Sequence, residues 1–375
     1  MHLLSPRSRS SRGSKSTVKS ALGATAAAAL ALTFTAACGQ DDAGGGGDTP
    51  LIGVILPDSA SSDRWETADR KYLAAAFDAA GVDYDIQNAQ GSREDFQTIA
   101  DQMLTKGVDV LVTVNLDSGT GKTVIEKAKS QGVATIDYDR LTEDGGADYY
   151  VSFDNEQVGV LQGEGLVSCL EGVANPLIAE VNGSPTDNNA TLFKNGYDSI
   201  LDPLYADATF TKGPDEWVPD WDNAQGGTLF EQMLTDTGTE IDGVLAANDG
   251  LAHAVITVLE RNNLNGTVPV TGQDATVQGL QNILTGDQCM TVYKAIEEEA
   301  NAAADLAVAL ANGEKPTTDG TVVDPVSSAE VPSVLLEPVA ITIENIQVVV
   351  DDGFADPAEL CAGDYAALCT EHGIG

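Results

Sequence analysis

The residues with the most chemistry in this chain stand in short polar clusters, each following an apolar, β-branched run. Asp63-Arg64-Trp65 comes after Leu51–Leu56, Asp139-Arg140 after Gly132–Tyr138, and the stretch from Gly183 through Asp187 to Asn189 after Pro176–Val181. Asn248-Asp249-Gly250, Gly272-Gln273-Asp274 and Tyr293-Lys294 repeat the arrangement further on. Carboxylates, amides, Arg and Lys can each bond two neighbouring hydroxyls, and charge-assisted contacts contribute about 1.5–3 kcal/mol each. An indole face covers the apolar C–H side of a sugar ring. The set therefore suits a small polyhydroxylated ligand. Any one of these residues has an ordinary alternative as a helix N-cap or turn former; their joint placement at strand ends is what points to a site.

Other chemistries find little support. The chain has three His; His2 lies in a leader-like segment, His372 in the tail, and His253 stands alone in an expected helix, so no Ser-His-Asp set or zinc pattern can be assembled. Asp117-Ser-Gly-Thr-Gly-Lys-Thr123 imitates a phosphate-binding loop, but the position that needs its first Gly is Leu116. Helix N-capping accounts for it better. Paired carboxylates could in principle hydrolyse a glycoside, but an abundance of Asp decides nothing.

The elements that must position the clusters alternate strand, helix, strand. Strands are expected at Leu51–Leu56, 82–87, 108–114 and 133–138, with helices between them marked by Trp65 to Ala79, Phe96 to Leu104 and Val124 to Ala128. Tyr149–Asn155 reads as the start of a second sheet, where the chain changes lobe. Strands at 176–181, 243–247, 268–271 and 289–293 then alternate with helices beginning near Asn188, Asp222, Gly250, Thr276 and Ile296. Val331–Val339 is another apolar run, and the acidic remainder is expected to wrap the hinge. Such alternation defines an α/β protein with parallel sheets covered on both faces, and in open α/β sheets ligands bind at the carboxyl ends of strands.

Bulk properties fit two lobes: 375 residues can bury two cores. A net charge of −39 argues against nucleic acid or an anionic membrane surface as partner. Arg7, Arg9, Arg12, Lys15 and Lys19, followed by the apolar run Ala21–Phe34, read as an export signal; the run is shorter than the ~20 residues of a membrane span. Thr35-Ala36-Ala37-Cys38-Gly39 resembles the lipobox of bacterial lipoproteins, which implies acylation at Cys38. The Gly-rich stretch 40–48 is a tether without a core. Cys169, Cys289, Cys361 and Cys369 remain, an even number that suggests disulfides with three possible connectivities. Cys361 with Cys369 is favoured by proximity, and Cys169 with Cys289 follows by default.

Asp63-Arg-Trp65, Tyr138-Asp-Arg140, the run Ser152 to Gly159, the run Gly183 to Ala190, Asn248-Asp249, Gly272-Gln-Asp274 and Met290 to Lys294 together resemble the D-xylose-binding type of periplasmic sugar-binding protein, the substrate receptor of an ABC importer. The resemblance runs from about Leu51 to about Phe354. It implies two Rossmann-like lobes with parallel sheets joined by a three-strand hinge, the type I periplasmic-binding fold, with a monosaccharide such as D-xylose enclosed between them. It places Arg64, Trp65, Asp139 and Arg140 on the first lobe as ligand contacts. Asp187, Asn189, Trp221, Asn248, Asp274 and Lys294 would come from the second lobe or hinge, with Trp65 and Trp221 as stacking faces and Trp217 the weaker candidate.

It further implies no cofactor, no catalysis, ABC permease subunits as partners, and a monomer held outside the cytoplasm by its lipid. The segments expected are 1–37 signal, 38–50 acylated Cys and tether, 51–152 plus 295–330 first lobe, and 153–294 plus 331–375 second lobe and hinge tail. Two rival classes are a sugar-responsive regulator on the same fold and a glycosidase. The first needs a DNA-reading helix pair where this chain has its signal; the second would cleave aryl glycosides.

Overall fold

In the first lobe, strands that are apolar on both faces sit at the centre, as a parallel sheet covered by helices requires. The computed structural model describes residues 49–318 and 320–375. Strands β1 (Leu51–Leu56), β2 (Asp83–Asn88), β3 (Val110–Thr113), β4 (Ala134–Tyr138) and β5 (Tyr149–Phe153) follow one another with a helix in each of the first three connections. β1 lies between β2 and β3, and β3, β4 and β5 continue the sheet, all in parallel register. The polar tips of β1 and β4 therefore open on the same rim.

After β5 the chain enters the second lobe through the helix Asn155–Cys169. There β6 (Leu177–Asn182) lies between β7 (Thr211–Trp217) and β8 (Gly243–Ala246), both parallel to it. A bridge from Val244 to Val270 extends this sheet, and the amide of Cys289 donates to the Val270 carbonyl at 2.9 Å just before β9 (Thr291–Tyr293). The helix Asn188–Ala206 crosses Asn155–Cys169 backbone to backbone. Gly159 and Gly196 meet there, and a side-chain carbon on either would fall inside the other helix's main chain.

From β9 the chain returns to the first lobe as the helix Ile296–Ala311. β10 (Gly320–Val323) then pairs antiparallel with β11 (Glu330–Leu336), and β11 adds in parallel beside β5. It crosses once more to β12 (Val339–Ile341), antiparallel to β9. Three crossings thus join the lobes, at 153–155, 293–296 and 336–339.

Two expectations change. β5 belongs to the first sheet rather than starting the second, and Glu330–Leu336 also belongs to the first sheet, whereas the sequence pattern places residues from 331 onward in the second lobe. β5 pairs with β4, the strand just before it, whereas the partner of β11 is the distant β5, which local pattern does not encode.

The tail does more than wrap the hinge. Its short helices Gln347–Asp351, Pro357–Leu360 and Tyr365–His372 bury Val349, Leu360 and Cys369 against Leu280, Ile283 and Tyr293 of the second lobe. Both expected disulfides are present, Cys361–Cys369 with Cα atoms 5.8 Å apart and Cys169–Cys289 at 6.4 Å. The export signal and Cys38 lie outside the described residues.

Candidate functional site

Arg64 is the hub of the first lobe's contribution. Its side chain is 2% exposed, placed just before a π-helical turn, Trp65–Asp69, that turns Trp65 and Asp69 inward together. Such wide turns recur at functional sites. Nε and Nη2 of Arg64 hold Asp69 at 3.0 and 3.1 Å, and Nη2 also reaches Asp139 at 2.9 Å and Glu299 at 3.5 Å. Nη1 lies 3.9 Å from Asp274, across the gap between lobes. The guanidinium sits 4.1 Å from the Trp65 ring centroid, with Arg140 at 5.3 Å. Trp65, expected as a bare stacking face, is thus partly covered by cations, an arrangement that itself stabilises them.

Asp139, at the tip of β4, has φ 61°, a left-handed conformation that costs a non-glycine residue about 1–3 kcal/mol and persists only where its surroundings enforce it. Ser152 Oγ and Asn189 Nδ2 both donate to its carbonyl at 2.8 Å. Its carboxylate takes Arg64 and Lys294 Nζ at 3.3 Å on Oδ2 and Asn189 on Oδ1 at 3.1 Å. Burial pushes this carboxyl upward, but Lys294, Arg64 and Arg140 together outweigh it and hold it well below the usual carboxylate range. Burial pushes the Glu299 carboxyl well above the usual carboxylate range, and the Asp139 charge adds to it.

The second lobe answers with Asp187 and Trp221. Asp187 Oδ2 accepts from the Trp221 indole Nε1 at 3.0 Å and pairs with Arg140 Nε at 2.9 Å. Asp187 also caps the helix Asn188–Ala206 through the Asn189 amide. Asn115, in the loop after β3, fixes Arg140 from behind by exchanging bonds of 3.1 and 3.2 Å with its main chain and guanidinium. Trp221 has φ 55° and follows Asp220 at φ 53°. Its ring meets Phe193 edge to face at 6.4 Å and lies against Gly183. No side chain fits at 183 without displacing that ring. Gly183→Ala should therefore break the Trp221–Asp187 bond and weaken ligand binding at least tenfold while leaving far-ultraviolet circular dichroism unchanged. Calorimetric titration beside the parent checks this, and unaltered affinity would refute the seat.

Asn248 donates across the lobes to the Ser61 carbonyl at 3.3 Å, while its Oδ1 caps the helix beginning at Asp249. Asp274, at φ 103°, lies 3.8 Å from Lys294 and touches Gln273. Asp249 underpins this loop by accepting from the Thr276 amide, Gln288 and Thr291 at 2.8 Å each. Burial pushes its carboxyl up to about 7 despite those donors.

All ten sequence-expected ligand residues, Arg64, Trp65, Asp139, Arg140, Asp187, Asn189, Trp221, Asn248, Asp274 and Lys294, line one cavity, whose free volume of ≈30 Å³ is far below the ~300–1,000 Å³ common for small-molecule sites because the lobes' ion pairs close on one another there. Ser61, Ser62 and Phe193 also line it without a signal in the sequence reading, and Gln273 joins them from the rim cluster Gly272-Gln273-Asp274. Trp217 is not among its lining residues; it is half-buried at the end of β7 and packs on the second-lobe core. In the phosphate-loop imitation, Asp117 accepts from the Thr120 amide at 2.8 Å as a helix cap, and Lys122 pairs with Asp144. Among the described residues no cluster of His, Cys, Asp and Glu forms a metal site.

Two α/β lobes joined by three crossings, with polar groups of both converging on one closed cavity, define a solute-binding protein of the hinge-bending kind. Residues 52–315 match the periplasmic binding protein domain family, and the chain belongs to that family. It is 36% identical to the D-xylose-binding periplasmic protein of Escherichia coli (strain K12) over 82% of this chain and 92% of that one. Identity to the protein of the same description from Haemophilus influenzae is 35%, over 81% and 90%. A carbohydrate transporter solute binding protein from Chloroflexus aurantiacus, solved with D-glucose, superposes with TM-score 0.75 at 30% identity, covering 83% of this chain and 98% of that one.

Proposed function

We propose that this protein is an extracytoplasmic receptor that closes on a monosaccharide, D-xylose or a related aldose, and hands it to the permease of an ABC importer. It binds and does not catalyse. The observation that carries this reading is the single cavity where charged and amide groups of both lobes meet, with Arg140–Asp187, Arg64–Asp274 and Asn189–Asp139 as pairs that span the lobes. Such contacts form together only in the closed state, so a sugar that bridges them shifts the hinge by its differential affinity. The relatives named for D-xylose support the sugar class. Calorimetric titration of the purified protein with D-xylose, D-glucose, L-arabinose and D-galactose tests it, and heat from none of them at millimolar sugar would refute it.

The ten sequence-expected residues among those lining the cavity are the proposed ligand contacts, with Asp139, Arg140, Asp187 and Asp274 bonding ring hydroxyls and Trp221 packing on the C–H face. The receptor acts as a monomer held at the membrane by acylated Cys38. Cys38→Ser should release it from the membrane fraction into the soluble one, as read by fractionation and immunoblot. Continued membrane partitioning would show that the anchor is not there.

A further inference from the structure

Outside the closed cavity lies a second space of ≈400 Å³, open to solvent and lined from both lobes. Gln90 and Arg93 face it from the first lobe, Asp220 and Asn223 from the second. The two spaces share Ser61, Arg140, Asp187 and Trp221, so one wall separates them. That wall is a chain of polar contacts, Arg140 to Asp187 to the Trp221 indole. Arg140, Asp187 and Trp221 line both spaces, so a ligand that spans them would part this contact and bond its members from either side.

The outer space offers the same kinds of groups as the inner one. Arg93 bridges Asp117 of its own lobe at 2.7 Å and Asp220 of the other at 3.0 Å. Asn223 donates to the Ala60 carbonyl across the lobes at 3.2 Å and lines the outer space. Asp220 and Trp221, consecutive left-handed residues, give the turn two outputs: the indole lines both spaces, whereas the Asp220 carboxylate meets only the outer one.

We infer that the outer space is a second sugar subsite, so that the receptor accepts, besides a free monosaccharide, a short glycoside whose second ring lies between Gln90 and Arg93 on one side and Asp220 and Asn223 on the other. The inference rests on the monosaccharide reading and names a wider substrate class for the same cleft.

Calorimetric titrations with D-xylose and xylobiose, and with D-glucose and cellobiose, test it on the parent, Asn223→Ala and Gln90→Gly; glycine suits the left-handed backbone at 90, where φ is 52°. The parent should bind one disaccharide within about tenfold of its monosaccharide. Both variants should lower the disaccharide-to-monosaccharide affinity ratio at least fivefold. The ratio cancels the loss of the Asn223–Ala60 bond, which closure uses with either ligand. A parent that binds a monosaccharide but neither disaccharide overturns the second subsite alone, as does an unchanged ratio in both variants. Binding of neither monosaccharide, with L-arabinose and D-galactose silent as well, overturns the subsite together with the reading beneath it.

Discussion

Arg64→Met should destabilise the protein by about 3–5 kcal/mol, the range for removing one partner from a buried ion pair, and abolish sugar binding. Asp69 and Asp139 would lose their shared cation while remaining almost wholly inside the first lobe. Because Asp69, Asp139 and Glu299 all belong to that lobe, the stability loss should not depend on whether the lobes are open. Arg64→Lys keeps the charge but not the planar fork that serves several carboxylates at once, so it should recover only part of the loss. The folded pKa of Asp139 lies below its unfolded value, so its contribution is complete at neutral pH and is lost as pH falls through the acid range. The gap between parent and Arg64→Met should therefore narrow on acidification. Urea unfolding at several pH values measures it, and a neutral-pH difference under 1 kcal/mol would contradict the hub.

Asp274→Ala and Trp221→Ala should each weaken sugar binding by about 2–4 kcal/mol, combining lost charge-assisted or stacking contacts with hydroxyl partners left unpaired. Asp274 meets Arg64 across the lobes at 3.9 Å and Lys294, at the hinge crossing, at 3.8 Å, so its removal acts mainly on the closed state. Asp274→Asn, which retains a residue tolerant of left-handed backbone, separates charge from strain. Trp217→Ala should change affinity little. Trp65 and Trp221 both line the cavity, so sugar should also perturb intrinsic fluorescence. Equal affinities in the parent and in the Asp274 and Trp221 variants would place the sugar elsewhere.

The alternation of elements was legible because β1, β3 and β4 are short apolar runs between amphipathic helices. β7 was not: Thr211-Lys-Gly-Pro-Asp-Glu-Trp217 is a polar edge strand, and proline and charge are what edges carry. The ligand residues were legible as rim clusters, but their supports were not. Glu299 sits in the run Glu297-Glu298-Glu299, which reads as a solvated first helical turn; the first two are exposed and the third is buried. The available signal was its place on the stripe Ile296, Glu299, Ala300, Ala303 and Ala304, all buried, a charge among core positions. Asp69 faces inward through a π turn, whose register a 3.6-residue period does not capture.

The pairing of β11 with β5, Ser333 opposite Tyr150, has a kinetic side. The first lobe's sheet stays incomplete until almost the whole chain is available, and contacts so far apart in sequence form slowly because a long loop must close first. The second lobe draws its central strands β6, β7 and β8 from one continuous stretch. On refolding, the amides of β6 and β8 should become protected from hydrogen exchange before those of β5, and simultaneous protection would argue against that order. Until β11 arrives, β5 presents a bare hydrogen-bonding edge, which makes the interval between these events the period in which the chain is most open to aggregation or to capture by a holdase.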